Sequence, residues 1–241
     1  MNLKMILFVL DGTLLPMDND TFVNGYFNAI GQKVEKLGYN PKQVMTAIMK
    51  GTEFMILNPG IKSNENLFWD VYAETYGPID SKDKKVFDDF YENEFNDVKS
   101  FCGYNPQVPK AIKMFKNRGL KLVLATNPLF PKTAVKARLN WAGLRMEDFE
   151  LVTTYENINY CKPNLDYYSE ILNRINVAPS ECLMVGNNVD EDMIASKLGI
   201  NVFLVTDCLI NKSNEDISKY PHGNINDLIN YVNQHSKITL G

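Results

Sequence analysis

The sequence predicts an α/β fold: a Rossmann-like, doubly wound parallel sheet with a helical insertion. Short apolar runs recur at 5–10, 120–125, 150–153, 182–185 and 202–205. They lack in/out alternation, as do strands buried on both faces of a helix-covered sheet. Stretches with helical spacing lie between them, the alternation expected of this class. The interval 17–101, by contrast, shows amphipathic helical patterns and no convincing strand.

The first run ends at Asp11, and the insertion follows. Phe22, Tyr26 and Ile30 are spaced i, i+4, with Val34 and Leu37 continuing the stripe and Gly38 and Pro41 closing the helix. Three further helices are predicted at 42–57, 64–76 and 82–98. From Asp80 to Lys99, seven acids (Asp80, Asp83, Asp88, Asp89, Glu92, Glu94, Asp97) face four lysines (Lys82, Lys84, Lys85, Lys99). They read as a solvated face, with Val86, Phe87, Phe90 and Phe95 turned inward. Beyond the insertion, Val108, Ile112 and Phe115 precede Gly119, and Val135, Leu139 and Ala142 precede Gly143, each glycine suiting a helix C-cap. Amphipathic stretches at 165–175, 192–198 and 225–232 complete the alternation. The expected organisation is a core of residues 1–16 and 102–241 and a helical cap of residues 17–101.

Composition narrows the function classes. The chain has 241 residues, 45% hydrophobic and 22% charged, as in ordinary globular proteins. Twenty-five basic against 29 acidic side chains leave a net charge of −4, which favours neither nucleic acid nor anionic lipid. Cys102, Cys161, Cys182 and Cys208 show no CxxC spacing, so neither a zinc site nor a disulfide framework is expected. The most apolar run, residues 5–10, is too short for a membrane span or a signal-peptide core, which makes the cytoplasm the expected location. Nothing in the sequence sets an oligomeric state.

Ligands of open α/β sheets bind beyond the carboxyl ends of the strands. The residues there are Asp11-Gly12-Thr13-Leu14 after the first run, Thr126-Asn127 after the second, Lys162-Pro163 after the third, and Gly186-Asn187-Asn188 with Asp190, Glu191 and Asp192 after the fourth. Singly, each has an ordinary structural use: a DG turn, a threonine cap, a surface lysine, an acidic helix start. Together, Thr126, the backbone around Asn127, and Lys162 suit a dianionic phosphoryl group. The histidines, His222 and His235, lie away from the predicted strand ends, giving no support to a Ser/His or Cys/His system. Cys161, beside Lys162, is the one unorthodox nucleophile, although an inert buried thiol is commoner. Neither GxGxxG nor GxxxxGK[ST] occurs.

In the order and spacing of these motifs the chain resembles the haloacid dehalogenase (HAD) superfamily. That family's motifs are a strand followed by DxDGT, a strand followed by Thr or Ser, a lone Lys, and a strand followed by an acidic GDxxxD or GDxxxxD element. The insertion resembles the family's C1 cap, and residues 201–206 resemble its fifth strand. The resemblance implies a magnesium-dependent phosphatase acting on small phosphorylated metabolites through an aspartyl phosphate, or less commonly a dehalogenase.

Two positions depart from the pattern. DxDGT falls on Val9-Leu10-Asp11-Gly12-Thr13, so an isopropyl group stands where the nucleophilic carboxylate is expected. Loss of the attacking group of a serine protease costs about six decades in rate, roughly 8 kcal/mol of barrier. Asp11, by resemblance the general acid and base, equally suits a turn residue bonding its own loop. In the fourth motif an amide, Asn187 or Asn188 according to register, replaces one carboxylate and leaves Asp192. Magnesium binding by Asp192, an asparagine carbonyl and the Asp11 carbonyl is therefore expected to be weak, unless Asp190 or Glu191 substitutes. The sequence thus supports a pseudoenzyme that binds a phosphorylated or anionic ligand with negligible turnover. The alternative is an active phosphohydrolase, seen as an altered chain or using a non-standard nucleophile. Substrate choice would fall to cap residues such as Phe22, Met45, Thr52, Phe54 or Asn58.

Overall fold

The computed structural model describes residues 2–235. Its centre is a six-stranded, all-parallel sheet in the order β3-β2-β1-β4-β5-β6. The strands are β1 (Met5–Phe8), β2 (Lys121–Leu124), β3 (Leu151–Val152), β4 (Cys182–Gly186), β5 (Asn201–Val205) and β6 (His222–Gly223). The order reverses at β1, where Met5 pairs with Lys121 on one side and Cys182 on the other, and Phe8 with Leu124 and Val185. Such a reversal opens a crevice beyond the strand ends, the usual ligand site of open α/β sheets.

Both faces are buried, which explains the unalternated apolar runs. Ile6, Phe8, Leu122, Leu124, Leu183 and Val185 pack under α5 (Gln107–Asn117), α6 (Lys132–Trp141) and α9 (Ile225–His235). Met5, Leu7, Val9, Val123, Met184 and Leu204 pack under α7 (Leu165–Ile175) and the 3-10 turn Met193–Leu198. Among the described residues no helix is long and apolar enough to cross a membrane.

Between β1 and α5 the chain forms α1 (Asn19–Lys36), α2 (Pro41–Ile56), α3 (Asn64–Tyr76), α4 (Ser81–Glu92) and a 3-10 segment, Glu94–Phe101. Side-chain caps start the four α-helices: Asp18, Asn40, Ser63, and Asp80 in a capping box with Asp83. The two linkers run side by side, Met17 bridging Cys102 and the Gly103 N–H donating to the Pro16 carbonyl at 2.7 Å. An aromatic cluster joins insertion to core, with Phe22 and Tyr26 on Phe130 (6.2 and 5.5 Å between ring centres) and Phe95 on Trp141 (5.2 Å).

Four local features differ from the sequence expectation. The helix expected at 82–98 breaks at Asn93, whose amide bonds the Asp89 carbonyl at 3.0 Å and competes with the helix for that acceptor. The helix expected at 192–198 is a short α8 (Val189–Asp192) followed by the 3-10 turn. The third strand is two residues long rather than four. A sixth strand contains His222, which is therefore not remote from the sheet, although its exposed ring bonds the Tyr220 carbonyl rather than a group of the site.

Candidate active site

The chain leaves β1 through a tight turn. The Leu10 carbonyl accepts from the N–H groups of Leu14 and Leu15, both at 2.9 Å, and Gly12 sits at φ +73°. A side chain at Gly12 is excluded doubly: by that backbone conformation, and by the Asn187 amide, which would lie 2.2 Å from a β-carbon there. Asn187 is spent on this contact. Its Oδ1 accepts from the Thr13 hydroxyl at 2.9 Å and its Nδ2 donates to the Cys208 carbonyl at 2.7 Å, clamping the β1, β4 and β5 loops together.

Val9 sits at the end of β1, its N–H donating to the Val185 carbonyl at 3.0 Å. Its side chain packs in the apolar cluster with Val123, Ala125, Met184 and Val189. Asp11 turns to a partner that lies outside the strand-end motifs. The Arg138 guanidinium, on α6 and 1% exposed, is ion-paired through Nη1 to Asp11 Oδ2. Phe130 lies under the guanidinium at 4.3 Å from its ring centre. One oxygen and one nitrogen of this pair, Asp11 Oδ1 and Arg138 Nη2, are buried and have no partner among the described residues. The signal was present: Arg138 continues the Ala134 and Trp141 face of α6, and a charge on an apolar stripe implies a buried partner.

Lys162 and Asp192 form a second buried pair, Nζ to Oδ1 at 2.6 Å, each side chain 1% exposed. The other Asp192 oxygen accepts the Asn188 N–H at 2.9 Å, and the carboxylate lies so close to Gly186 that a β-carbon there would meet it at 2.2 Å. Asn188 caps α8, its Oδ1 accepting from the Asp190 and Glu191 N–H groups. Asn127 joins the β2 and Lys162 loops, Oδ1 accepting the Lys162 N–H at 3.1 Å while Nδ2 approaches Glu191 Oε2 at 3.4 Å. Burial and the neighbouring Asp192 push the Glu191 carboxyl above its usual range, and the Lys162 charge opposes them.

The Thr126 carbonyl accepts from Thr153 Oγ1 and Tyr167 OH at 2.6 and 2.8 Å, which fixes the loop. Among the described residues neither the Thr126 hydroxyl nor the Asn127 N–H has a protein partner. Cys161 is fully buried, accepts from Asn64 Nδ2 at 3.3 Å, and has its thiol pushed up by burial to about 12. At that value its thiolate is scarce at neutral pH, so it is a poor nucleophile.

The structure therefore gathers Val9, Asp11, Gly12, Thr126, Asn127, Lys162, Asn187, Asn188 and Asp192 around the ends of β1, β2 and β4. Magnesium fits them poorly. The side chain at position 9 offers no oxygen, both Asp192 carboxylate oxygens and the Asn187 amide are engaged, and Asp11 faces an arginine. Among the described residues no three of His, Cys, Asp or Glu are grouped to share an ion.

A family model of the haloacid dehalogenase-like hydrolases matches residues 3–199. A phosphoglycolate phosphatase from Vibrio parahaemolyticus is 27% identical over 211 residues, covering 85% of this chain and 84% of that protein. The putative phosphatase YhcW of Bacillus subtilis is 29% identical over 100 residues, 42% of this chain and 44% of that protein. Among solved structures, a HAD phosphatase from Thermococcus onnurineus superposes with TM-score 0.57 at 18% identity, over 98% of this chain and 100% of its own. L-2-haloacid dehalogenase from Xanthobacter autotrophicus gives 0.57 at 16% identity, over 97% and 100%. At such identities these two likenesses speak for the fold alone.

Proposed function

The chain belongs to the haloacid dehalogenase-like hydrolases, and from that premise we propose that it is a hydrolytically silent member that binds a small phosphorylated or otherwise anionic ligand. One observation carries this reading: the side chain at the end of the central strand is the isopropyl group of Val9, packed into an apolar cluster. Valine cannot form an acyl phosphate. Two candidates to replace it are poorly suited, Cys161 by its raised thiol and Asp11 by its pairing with Arg138.

The groups that would hold the anion are intact. The Thr126 hydroxyl and Asn127 N–H are open donors, and Lys162 supplies a fixed positive charge whose ammonium spends one N–H on Asp192. The absence of a carboxylate at position 9 removes a negative charge that would repel the ligand. Residues 17–101 would serve as the cap over this crevice, with 1–16 and 102–241 as the core, in a protein of the cytoplasm.

The test is hydrolysis of a generic phosphomonoester with magnesium present, comparing the chain with a Val9→Asp, Asn188→Asp variant. The chain itself is expected to show no turnover above buffer and the double variant to gain it. Turnover by the unaltered chain that survives removal of contaminating phosphatases would overturn the proposal.

A further inference from the structure

We infer that this site excludes a divalent metal, so that the anion it takes is held by fixed protein groups, Lys162 foremost, without help from magnesium. The second half rests on the anion-binding reading above; the first stands on the geometry of the acids alone.

Magnesium requires a near-octahedral set of hard oxygens, usually including one or two carboxylates, and gives up its water reluctantly. The side-chain oxygens of Asp192, Asn187 and Asn188 are committed. Asp192 Oδ1 takes the Lys162 ammonium at 2.6 Å and Oδ2 the Asn188 N–H at 2.9 Å. Asn187 Oδ1 takes the Thr13 hydroxyl, and Asn188 Oδ1 caps α8. Asp11 Oδ1 is buried and has no partner among the described residues, but the other oxygen of the same carboxylate is on Arg138, so a metal approaching it would meet a buried guanidinium. Glu191 stands outside these pairs, and one carboxylate beside Lys162 does not build an octahedron.

Charge leads to the same result. Asp11 and Asp192 carry two negative charges, and Arg138 and Lys162, both buried, carry two positive ones. A divalent ion would meet two acids each already neutralised by a buried cation, so neither offers it an uncompensated charge. Val9, which adds no charge, leaves that balance undisturbed.

The test uses the full chain and two probes. Manganese, a paramagnetic stand-in for magnesium, is titrated and followed by electron paramagnetic resonance. Inorganic phosphate is titrated by calorimetry with magnesium and again with EDTA. The expected result is no specific manganese site, and a phosphate affinity the same within about twofold in the two conditions, as for uncoupled ligands. The Val9→Asp, Asn188→Asp variant is expected to bind manganese at least about tenfold more tightly than the chain itself. Manganese binding by the unaltered chain that matches the variant's, or a phosphate affinity raised about tenfold by magnesium, would overturn the inference. Phosphate binding in neither condition, with no manganese bound, would remove the anion-binding reading and leave metal exclusion standing.

Discussion

A guanidinium buried on the inner face of α6 needs a counter-charge, and Asp11 supplies it. Breaking a buried pair by removing one partner strands the other charge and costs about 3–5 kcal/mol. Because the Asp11 side chain is 28% exposed, Asp11→Asn is expected near the lower end of that range in urea unfolding. The Asp11→Asn, Arg138→Met double variant should recover much of the loss, because it leaves no unpaired charge; a strictly additive loss would show that the two residues do not act as a pair. Cysteine reactivity is a second check at this scale. Burial pushes Cys161 and Cys182 up to about 12, so iodoacetamide near pH 8 should leave both unmodified until denaturant is added, as mass spectrometry would read. Prompt native labelling of Cys161 would restore it as a candidate nucleophile. The sequence placed Asp11 and Lys162 at the strand ends, but their partners lie 127 and 30 residues away, a distance local patterning does not bridge.

At the scale of elements, α3 is tied to the core at its first turn. Asn64 is fully buried, its Nδ2 donating to the Pro128 carbonyl and Cys161 and its Oδ1 accepting from Asn58 at 2.8 Å. The Glu65 N–H donates to the Tyr155 carbonyl at 2.8 Å. Nearby, Gly60 lies so close to Tyr160 that a β-carbon there would meet the phenol at 2.3 Å. Asn64→Ala leaves the Asn58 amide short of an acceptor and should cost about 1–3 kcal/mol. Amide exchange at 58–65 should quicken more than in α5 or α9; uniform quickening would argue against a local anchor. The helix was legible from its apolar spacing, but the anchor was not, because a buried asparagine before an amphipathic run looks the same as an exposed cap.

Across the whole molecule, carboxylates paired in the folded state set the acid limb of stability. The Asp80 N–H and the Tyr39 hydroxyl hold Asp83 below its usual range, Lys33 does so for Asp89, and Lys4 for Glu181. Their depressed folded values mean that the unfolded chain binds more protons, so this stability is present above the ordinary carboxylate range and is lost as pH falls through the folded values. Glu191 and Glu65, raised by burial, act oppositely and relieve an unfavourable charge as mild acid protonates them. The melting temperature should therefore change little on mild acidification and fall below about pH 4; a decline beginning near neutrality would contradict this balance. The sequence by itself determined the parallel sheet, the position and helical character of the insertion, and the set of residues at the strand ends. Those follow from apolar periodicity and turn chemistry, which are local. Tertiary structure alone decided that Asp11 pairs with Arg138 and Asp192 with Lys162, that Asn187 clamps three loops, and that aromatic rings join insertion to core. Such contacts join residues far apart in the chain, and burial makes their pairing obligatory only once the sheet has brought them together.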